Sequence, residues 1–352
     1  MRTDRTLPFD PIEVPVDLGL GWPPEPLGHW REIGSPLPVG RVGRLDRGWS
    51  TVLLDVTGAT ARVRNIGADV AVGDFAVLSD GGERVATVLR RHSAFVRRAS
   101  FDGMKAESHT LAANIDVVML VHSLSSPPNQ RRLERELVLA WDSGARPVVV
   151  LTKSDLVDAG EVAASVASLA DVAPGVDVLA ASGADGTGVE QLRAFAAGGS
   201  TIALLGASGV GKSTLVNSLV GHHRQATAVV REGDQRGRHT TTAAELVALD
   251  GGGWLIDTPG VRAVSLWSSG HGIERAFADV FELMDHCRFR DCKHDTEPGC
   301  AVNEAVGAGT LDVRRLDSMK RLVAEEAAIE DEQRAREKSL DRRGVRRPRR
   351  AD

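Results

Sequence analysis

The run GASGVGKS at residues 206–213 has the spacing G-x-x-x-x-G-K-[ST]. That spacing suits a nucleotide polyphosphate. Glycines let the main chain wrap closely, amide groups and a helix start supply positive ends, and a lysine neutralises the outer phosphates. Gly206 and Gly211 are the wrapping glycines. The amides of Ala207, Ser208, Gly209, Val210, Gly211, Lys212, Ser213 and Thr214 form the cradle, Lys212 reaches the β- and γ-phosphates, and the Ser213 hydroxyl is placed for Mg²⁺. Downstream, IDTPG at 256–260 fits D-x-x-G. Asp257 would hold Mg²⁺ through water, and the Gly260 amide would sense the γ-phosphate. Between them lies GRHTTT at 237–242, where Thr240 or Thr241 can bring a hydroxyl to the metal. The polar, glycine-containing run around it suits either a switch or a plain surface loop. Val261 follows D-x-x-G and cannot orient a water, so hydrolysis by the chain alone is expected to be slow. His239 is a local candidate for that task or for supporting the switch.

Base recognition comes earlier in the chain. TKSD, Thr152, Lys153, Ser154 and Asp155, follows the apolar run PVVVL. The Asp155 carboxylate can accept hydrogen bonds from guanine N1–H and the exocyclic amine, a pair that adenine lacks, and the Lys153 stem can lie along the ring. Thr152 stands where Asn is usual and offers fewer hydrogen bonds to tie the loops. AAS at 180–182 adds Ser182 as a further guanine contact. In an ordinary guanine-nucleotide domain TKSD would follow the phosphate loop; here it precedes it.

A third cluster is CRFRDCKHDTEPGC at 287–300. Cys287, Cys292, His294 and Cys300 give C-x₄-C-x-H-x₅-C, a four-ligand set suited to one structural zinc with no open position for water. Arg288, Arg290 and Lys293 lie within it.

The elements that position these residues are legible in the hydrophobic pattern. Five short alternating runs between 39 and 91 predict a small barrel of the OB type, with a sandwich or meander as the alternative. The stretch RRHSAFVRRASFDGMK at 90–105 places Arg90, Arg91, Arg97, Arg98 and Lys105 around Phe95 and Phe101. This is either a nucleic-acid surface or a charged edge with two core phenylalanines. From Asn114 onward, Val/Leu/Ile strands alternate with amphipathic helices, which predicts a parallel sheet covered on both faces, with every motif at a strand's carboxyl end. A helix over 276–286, the cysteine cluster and a long charged helix over 311–338 follow, then an arginine-rich tail.

Bulk properties agree with a multidomain globular chain: 352 residues, 42% hydrophobic, 26% charged, net charge −5. No apolar run is long enough to span a bilayer, and the N-terminus lacks the apolar core of a secretory signal, so a cytoplasmic protein is expected. Three cysteines close together argue against a disulfide framework. Nothing signals an oligomer, and a monomer is expected.

NIDVVMLV, NQRRLERELVLAWDSGARPVVVLTKSDL, LLGASGVGKSTLVNSL, GRHTTT, DTPGVR and CRFRDCKHDTEPGCAV, in this order, resemble the circularly permuted, small-subunit-dependent GTPases of the RsgA/YjeQ family, over about Gly40 to Glu326. The resemblance implies an all-β OB-type barrel, an α/β P-loop GTPase domain in permuted order and a small α-helical zinc-binding domain. It implies a late maturation factor of the small (30S) ribosomal subunit that binds 16S rRNA, turns GTP into GDP with Zn²⁺ and Mg²⁺ as cofactors, and is released on subunit-stimulated hydrolysis. The expected boundaries are a poorly ordered Pro-rich extension over 1–36, an RNA-binding barrel over 37–98, the GTPase domain over 99–275, the zinc domain over 276–338 and a basic tail over 339–352. The first and last of these lie outside the resemblance. Two other readings remain: an ATP-dependent enzyme sharing only the phosphate loop, against which Asp155 argues, and a zinc-containing nucleic-acid binder whose nucleotide is structural.

Overall fold

The computed structural model describes residues 19–98, 108–127, 129–221, 244–257 and 271–342. Two compact units are formed, one from 1–136 with 143–265, the other from 137–142 with 266–352.

In the first unit, strands β1 (Val39–Asp46), β2 (Trp49–Leu53), β3 (Thr60–Arg64), β4 (Phe75–Leu78) and β5 (Val85–Val88) correspond to the five predicted runs. β1 pairs with both β2 and β4, β2 with β3, and β4 with β5, all antiparallel. A parallel bridge between Arg64 and Arg84 brings the start of β5 back beside β3 and closes the ring in the OB order. Alternate residues fill it: Val42, Val52, Val63, Ala76, Leu78 and Val85 are buried together. β6 (Ala94–Arg98) and β7 (Ser108–Ala113) form a separate antiparallel ladder.

Strands β8 (Val117–Ser123), β9 (Arg146–Thr152), β10 (Asp177–Ala180), β11 (Thr201–Gly206), β12 (Glu245–Ala248) and β13 (Trp254–Asp257) make the second sheet region in the order β10-β9-β8-β11-β13-β12. The first five in that order are parallel, as the buried Val/Leu/Ile runs of the central strands β9, β8 and β11 require. The expectation of an all-parallel sheet fails at β12, which runs antiparallel to β13. The connection from Leu249 to Gly253 is too short for a crossover, and a hairpin is what a short link permits. Helices α2 (Gln130–Asp142), α3 (Ala159–Val172), α4 (Val189–Arg193) and α5 (Lys212–Val220) accompany these strands. Asp158 caps α3, its carboxylate accepting the Glu161 amide at 2.9 Å.

The expectation of a poorly ordered extension over 1–36 fails for its second half. α1 (Pro24–Ile33) starts with proline in its first turn and ends at Gly34, a left-handed residue (φ 57) whose amide returns to Trp30 O at 3.1 Å. Leu20 is fully buried, and Trp22 packs on Phe75 at 4.2 Å between ring centroids. Apolar anchors hold the segment despite its proline content.

Barrel and nucleotide-type sheet are joined within this unit. β1 pairs with β12 through Arg44 and Glu245. Arg41 of β1 is fully buried and donates to Leu20 O (2.9 Å), Asn114 O (3.3 Å), Gly73 O (3.4 Å) and Thr201 Oγ1 (2.6 Å). Burial pulls its guanidinium down to about 10, against the opposing pull of Asp116 and Asp74.

In the second unit, α6 (His271–Ala276), α7 (Ala278–Met284), α8 (Ala301–Gly307) and α9 (Val313–Arg342) bury Ile273, Phe277, Val280, Val302, Leu316 and Met319. Arg315 on α9 bonds Asp279 and Ala276 O (2.8 Å) and lies over the Phe277 ring at 4.8 Å.

Candidate nucleotide site and metal centre

The carboxyl ends of β8, β9, β10, β11 and β13 lie along one edge of the sheet, and the phosphate loop, TKSD and the AAS loop lie there with them. At Gly206 a Cβ would sit 2.4 Å from Val121 O, so only glycine lets β11 turn into the phosphate loop beside β8. The loop passes through Gly209 (φ 80) and Gly211 (φ 101), left-handed positions that no other residue takes without strain. Lys212 opens α5, and Leu215 and Leu219 are fully buried beneath it, which fixes the direction in which the helix start presents the Ser213 and Thr214 amides. The Lys212 ammonium curls over the loop, donating to Gly206 O (2.7 Å) and to Ala207 O. Ala207, Ser208 and Val210 complete the turn.

The guanine-type loop is bound to this cradle. The buried Thr152 hydroxyl lies within hydrogen-bond reach of two carbonyls, Val210 O in the phosphate loop and His122 O at the end of β8, the latter at 3.0 Å. The Cβ position of Gly211 is 3.3 Å from the same oxygen. Threonine therefore ties the two loops directly, through a single hydroxyl proton that serves one carbonyl at a time. Lys153 then takes a left-handed backbone (φ 63), and a single 3₁₀ turn over Ser154–Leu156 leaves Asp155 exposed. Ser182 is fully buried; its hydroxyl accepts the Ala184 amide at 3.1 Å and so shapes the third loop. Next to it, a Cβ on Gly183 would meet the backbone of Thr214 and Leu215 at 2.8 Å, so this loop rests on the first turn of α5. Asp257 ends β13, paired in register with Glu245. Thr240, Thr241, His239, Gly260 and Val261 lie outside the described residues.

Two features at this edge escape motif reading. Gly183 has no signature beyond its place after AAS. His122 and Glu136 form a buried pair at 2.9 Å, with Arg132 on the other carboxylate oxygen at 2.7 Å, and this pair holds the strand end that carries Thr152's acceptor. Their sequence separation of 14 residues hides the contact.

The basic stretch at 90–105 divides between its two readings. Arg90 pairs with Glu32 of α1 (2.7 Å), and Arg91 grips Asp74 with two 2.7 Å bonds and reaches Asp69 at 3.0 Å. Phe95 is 1% exposed. Arg91 and Phe95 are structural, while Arg90 stays exposed in its pair. Phe101 and Lys105, and the side chains of Arg97 and Arg98, lie outside what is described.

In the second unit the ligand atoms of Cys287, Cys292, His294 and Cys300 all lie within 4.8 Å of one another. His294 Nδ1 is 3.6 Å from Cys287 Sγ and 3.5 Å from Cys300 Sγ, and those sulfurs are 4.0 Å apart. A tetrahedral ion with metal–sulfur bonds of about 2.3 Å needs edges of about 3.8 Å. His294 has a left-handed backbone (φ 58), and Lys320 fixes its carbonyl at 2.7 Å. Burial and the Lys320 charge hold the imidazole below its usual range, neutral and able to donate a lone pair. Burial and the neighbouring Cys300 and Cys287 sulfurs push the Cys292 thiol up to about 11, a cost that a bound cation reverses. Glu297, drawn down to about 2 by the Asp295 and Lys293 amides, knots the loop between the ligands. The four residues fit a metal ion.

A family profile described as RsgA GTPase matches residues 88–267. The "Small ribosomal subunit biogenesis GTPase RsgA" of Streptomyces coelicolor is 43% identical over 313 residues, 85% of each chain. The chain belongs to the RsgA GTPase family. Its relative in Methanosarcina acetivorans, with the same description, is 41% identical over 76% of this chain and 73% of its own length. Among solved structures, YjeQ from Thermotoga maritima superposes with a TM-score of 0.61 at 25% identity, covering 82% of this chain and 98% of that one. YloQ, described as a circularly permuted GTPase, superposes at 0.60 over 84% of this chain and 96% of its own and shares the fold. The permuted order anticipated from TKSD lying upstream of GASGVGKS is thus the RsgA arrangement.

Proposed function

We propose that this chain hydrolyses GTP in the biogenesis of the small ribosomal subunit, binds 16S rRNA, and leaves the subunit when the subunit stimulates hydrolysis. The observation that carries this reading is the Thr152 bridge: one hydroxyl joins the loop bearing Asp155 to the loop bearing Lys212, so base recognition and phosphate binding share one rigid edge. Family membership supplies the reaction and the ribosomal context.

Asp155 selects guanine, with Lys153, Ser154 and Ser182 around the base. Residues 206–214 hold the phosphates, and Lys212 leaves its carbonyl partners for the phosphate oxygens. Ser213 and Asp257 would hold Mg²⁺, which neutralises charge on the β- and γ-oxygens. Thr240, Thr241 and Gly260 serve as switch groups, and His239 aligns water or supports the switch. The Cys₃His set holds one structural zinc. The barrel over 37–98 is the RNA-binding part, the GTPase domain spans 99–275, and the zinc domain 276–338. The chain acts as a cytoplasmic monomer; among the described residues no helix is long and apolar enough to cross a membrane.

The test is GTP turnover by the full chain alone, with purified small subunits and with large subunits. Stimulation by small subunits only is expected; no stimulation would remove the ribosomal reading. ATP displacing bound GTP at equal concentration would remove the guanine assignment. Stripping metal with a chelator, with loss verified by elemental analysis, is expected to melt the second unit and leave guanine-nucleotide binding intact. An unchanged melt would sink the zinc role.

A further inference from the structure

Of the arginines that the sequence offers for RNA at 90–91, Arg91 is spent on buried Asp74 and Arg90 is paired with Glu32 at the surface, and a different set faces out unpaired among the described residues. Trp49 on β2 stands opposite Arg64 on β3, with Arg62 two pairs along the same ladder, opposite Thr51. Ser50, Val52 and Val63 point into the barrel, so alternation puts Trp49, Arg62 and Arg64 together on the outer face. Both guanidinium groups lie over the indole, Arg62 at 5.4 Å and Arg64 at 5.2 Å from the ring centroid. Arg84 is the bridge partner of Arg64 where the barrel closes. Arg62, Arg64 and Arg84 are exposed, and none has an ion pair among the described residues. Arg44, on the neighbouring strand, does have one, with Asp46 at 3.5 Å.

We propose that this outer face, Trp49 with Arg62, Arg64 and Arg84, is a binding surface for an RNA phosphodiester backbone. The proposal rests on the ribosomal reading above and gives it a surface. Like charges held side by side on a sheet repel one another and weaken it, and a polyanion converts that repulsion into binding. Trp49 orders the guanidinium planes before contact, so little side-chain freedom is lost on binding. Alternate residues on a strand are about 7 Å apart. Arg62 and Arg64 therefore repeat at the separation of successive phosphates along one RNA strand, a match that an acidic peptide or a lipid surface does not require.

The experiment measures binding of the full chain to purified small subunits and to a fluorescein-labelled RNA hairpin over a range of KCl concentrations. Arg62→Gln with Arg64→Gln is expected to weaken hairpin binding about 10-fold or more. It should lower the slope of log K against log salt by about 1.5–2, as the loss of two phosphate contacts requires. Turnover of GTP by the chain alone should stay unchanged. Trp49→Ala should give a smaller loss at nearly the same slope, because the charges remain while their order is lost. Equal binding and slope for wild type and double variant would overturn the proposal, as would competition by polyglutamate or phosphatidylserine vesicles as effective as unlabelled hairpin. A wild type that binds the hairpin through this face but ignores small subunits would support the surface and defeat the ribosomal reading. A wild type that binds subunits while the double variant binds them equally would do the reverse.

Discussion

The two ends of the parallel sheet in the first unit are built on opposite principles. At the carboxyl end, Thr152, Ser182, Gly183, Gly206 and Gly211 hold three loops together with hydroxyls, carbonyls and close backbone contact, the one buried charged pair described there, His122 with Glu136, lies behind them at the strand end, and the loops' own charged groups Asp155 and Lys212 are left facing outward or borrowed by carbonyls. At the amino end charges are drawn into the fold and paired: Arg41 is fully enclosed, Asp74 is fully buried against Arg91, and the partly buried His92 and Asp116 lie 3.2 Å apart. An edge that must receive a highly charged ligand cannot spend its cation on a permanent partner. A seam that must stay closed can, and its charges are useful there because they are satisfied from several elements at once. Thr201 belongs to both ends. Its hydroxyl accepts from Arg41, its amide donates to Asp116 at 2.7 Å, and five residues later its strand becomes the phosphate loop.

Breaking the seam should have the largest effect. Arg41→Ala leaves the Thr201 hydroxyl and the Leu20 and Asn114 carbonyls without their donor in a dry interior, and a loss of about 3–5 kcal/mol in unfolding free energy is expected, measured by urea titration. Arg41→Met should recover little of it, since the carbonyls stay unpaired. A variant within 1 kcal/mol of wild type would contradict the contrast drawn between the ends. Breaking the carboxyl end should do the reverse. Lys212→Ala is expected to cost about 100-fold or more in turnover, or about 2.7 kcal/mol of barrier, with the melting curve unmoved. A melting shift as large as that of Arg41→Ala would place Lys212 in the structural class. Thr152→Val removes one hydroxyl between two carbonyls. A penalty of about 1 kcal/mol, read as an approximately 5-fold rise in KM with kcat retained, separates loop registration from chemistry.

Much of the carboxyl end was legible in the sequence, because its chemistry depends on local spacing: a glycine-rich turn and a lysine at a helix start. The same holds for the second unit's three cysteines and a histidine within one short loop. The permuted order was legible too, from TKSD standing upstream of GASGVGKS. The seam was not. Arg41 reads as one more arginine in an alternating strand, and its partners Leu20, Gly73, Asn114 and Thr201 come from four separate segments. The ordered α1 was hidden by proline, which at a first helical turn is a start signal and not a breaker. The antiparallel β12 was hidden because a short apolar run carries no direction. Arginine count misled in the same way: Arg91 and Arg64 both flank apolar strand residues, and only the fold shows that one meets Asp74 and the other meets Trp49 and solvent.

The smallest effect expected concerns pH. Burial alone would lower the His92 imidazole, but hydrogen bonds and charge from Asp116, with help from Asn114, raise it above its ordinary value. Burial raises Asp116, and the His92 bond, the Thr201 amide and the Arg41 charge overcome this and bring it down. A group whose folded pKa is raised gives stability that is complete below its unfolded value and is lost as pH rises through the folded one. A depressed carboxylate gives stability that is present above its unfolded value and is lost as pH falls through the folded one. The pair therefore contributes most between about pH 4 and 6.5, and the His92 share fades above that. His92→Gln keeps a hydrogen-bonding side chain without the titration. Its unfolding free energy should approach that of wild type as pH rises from 6 to 8 and fall below it at pH 5.5, with the Arg41 bonds untouched. Parallel pH profiles for the two proteins would show that the imidazole charge has no part in the seam, and Arg41 would then stand as its sole titratable cation facing Asp116.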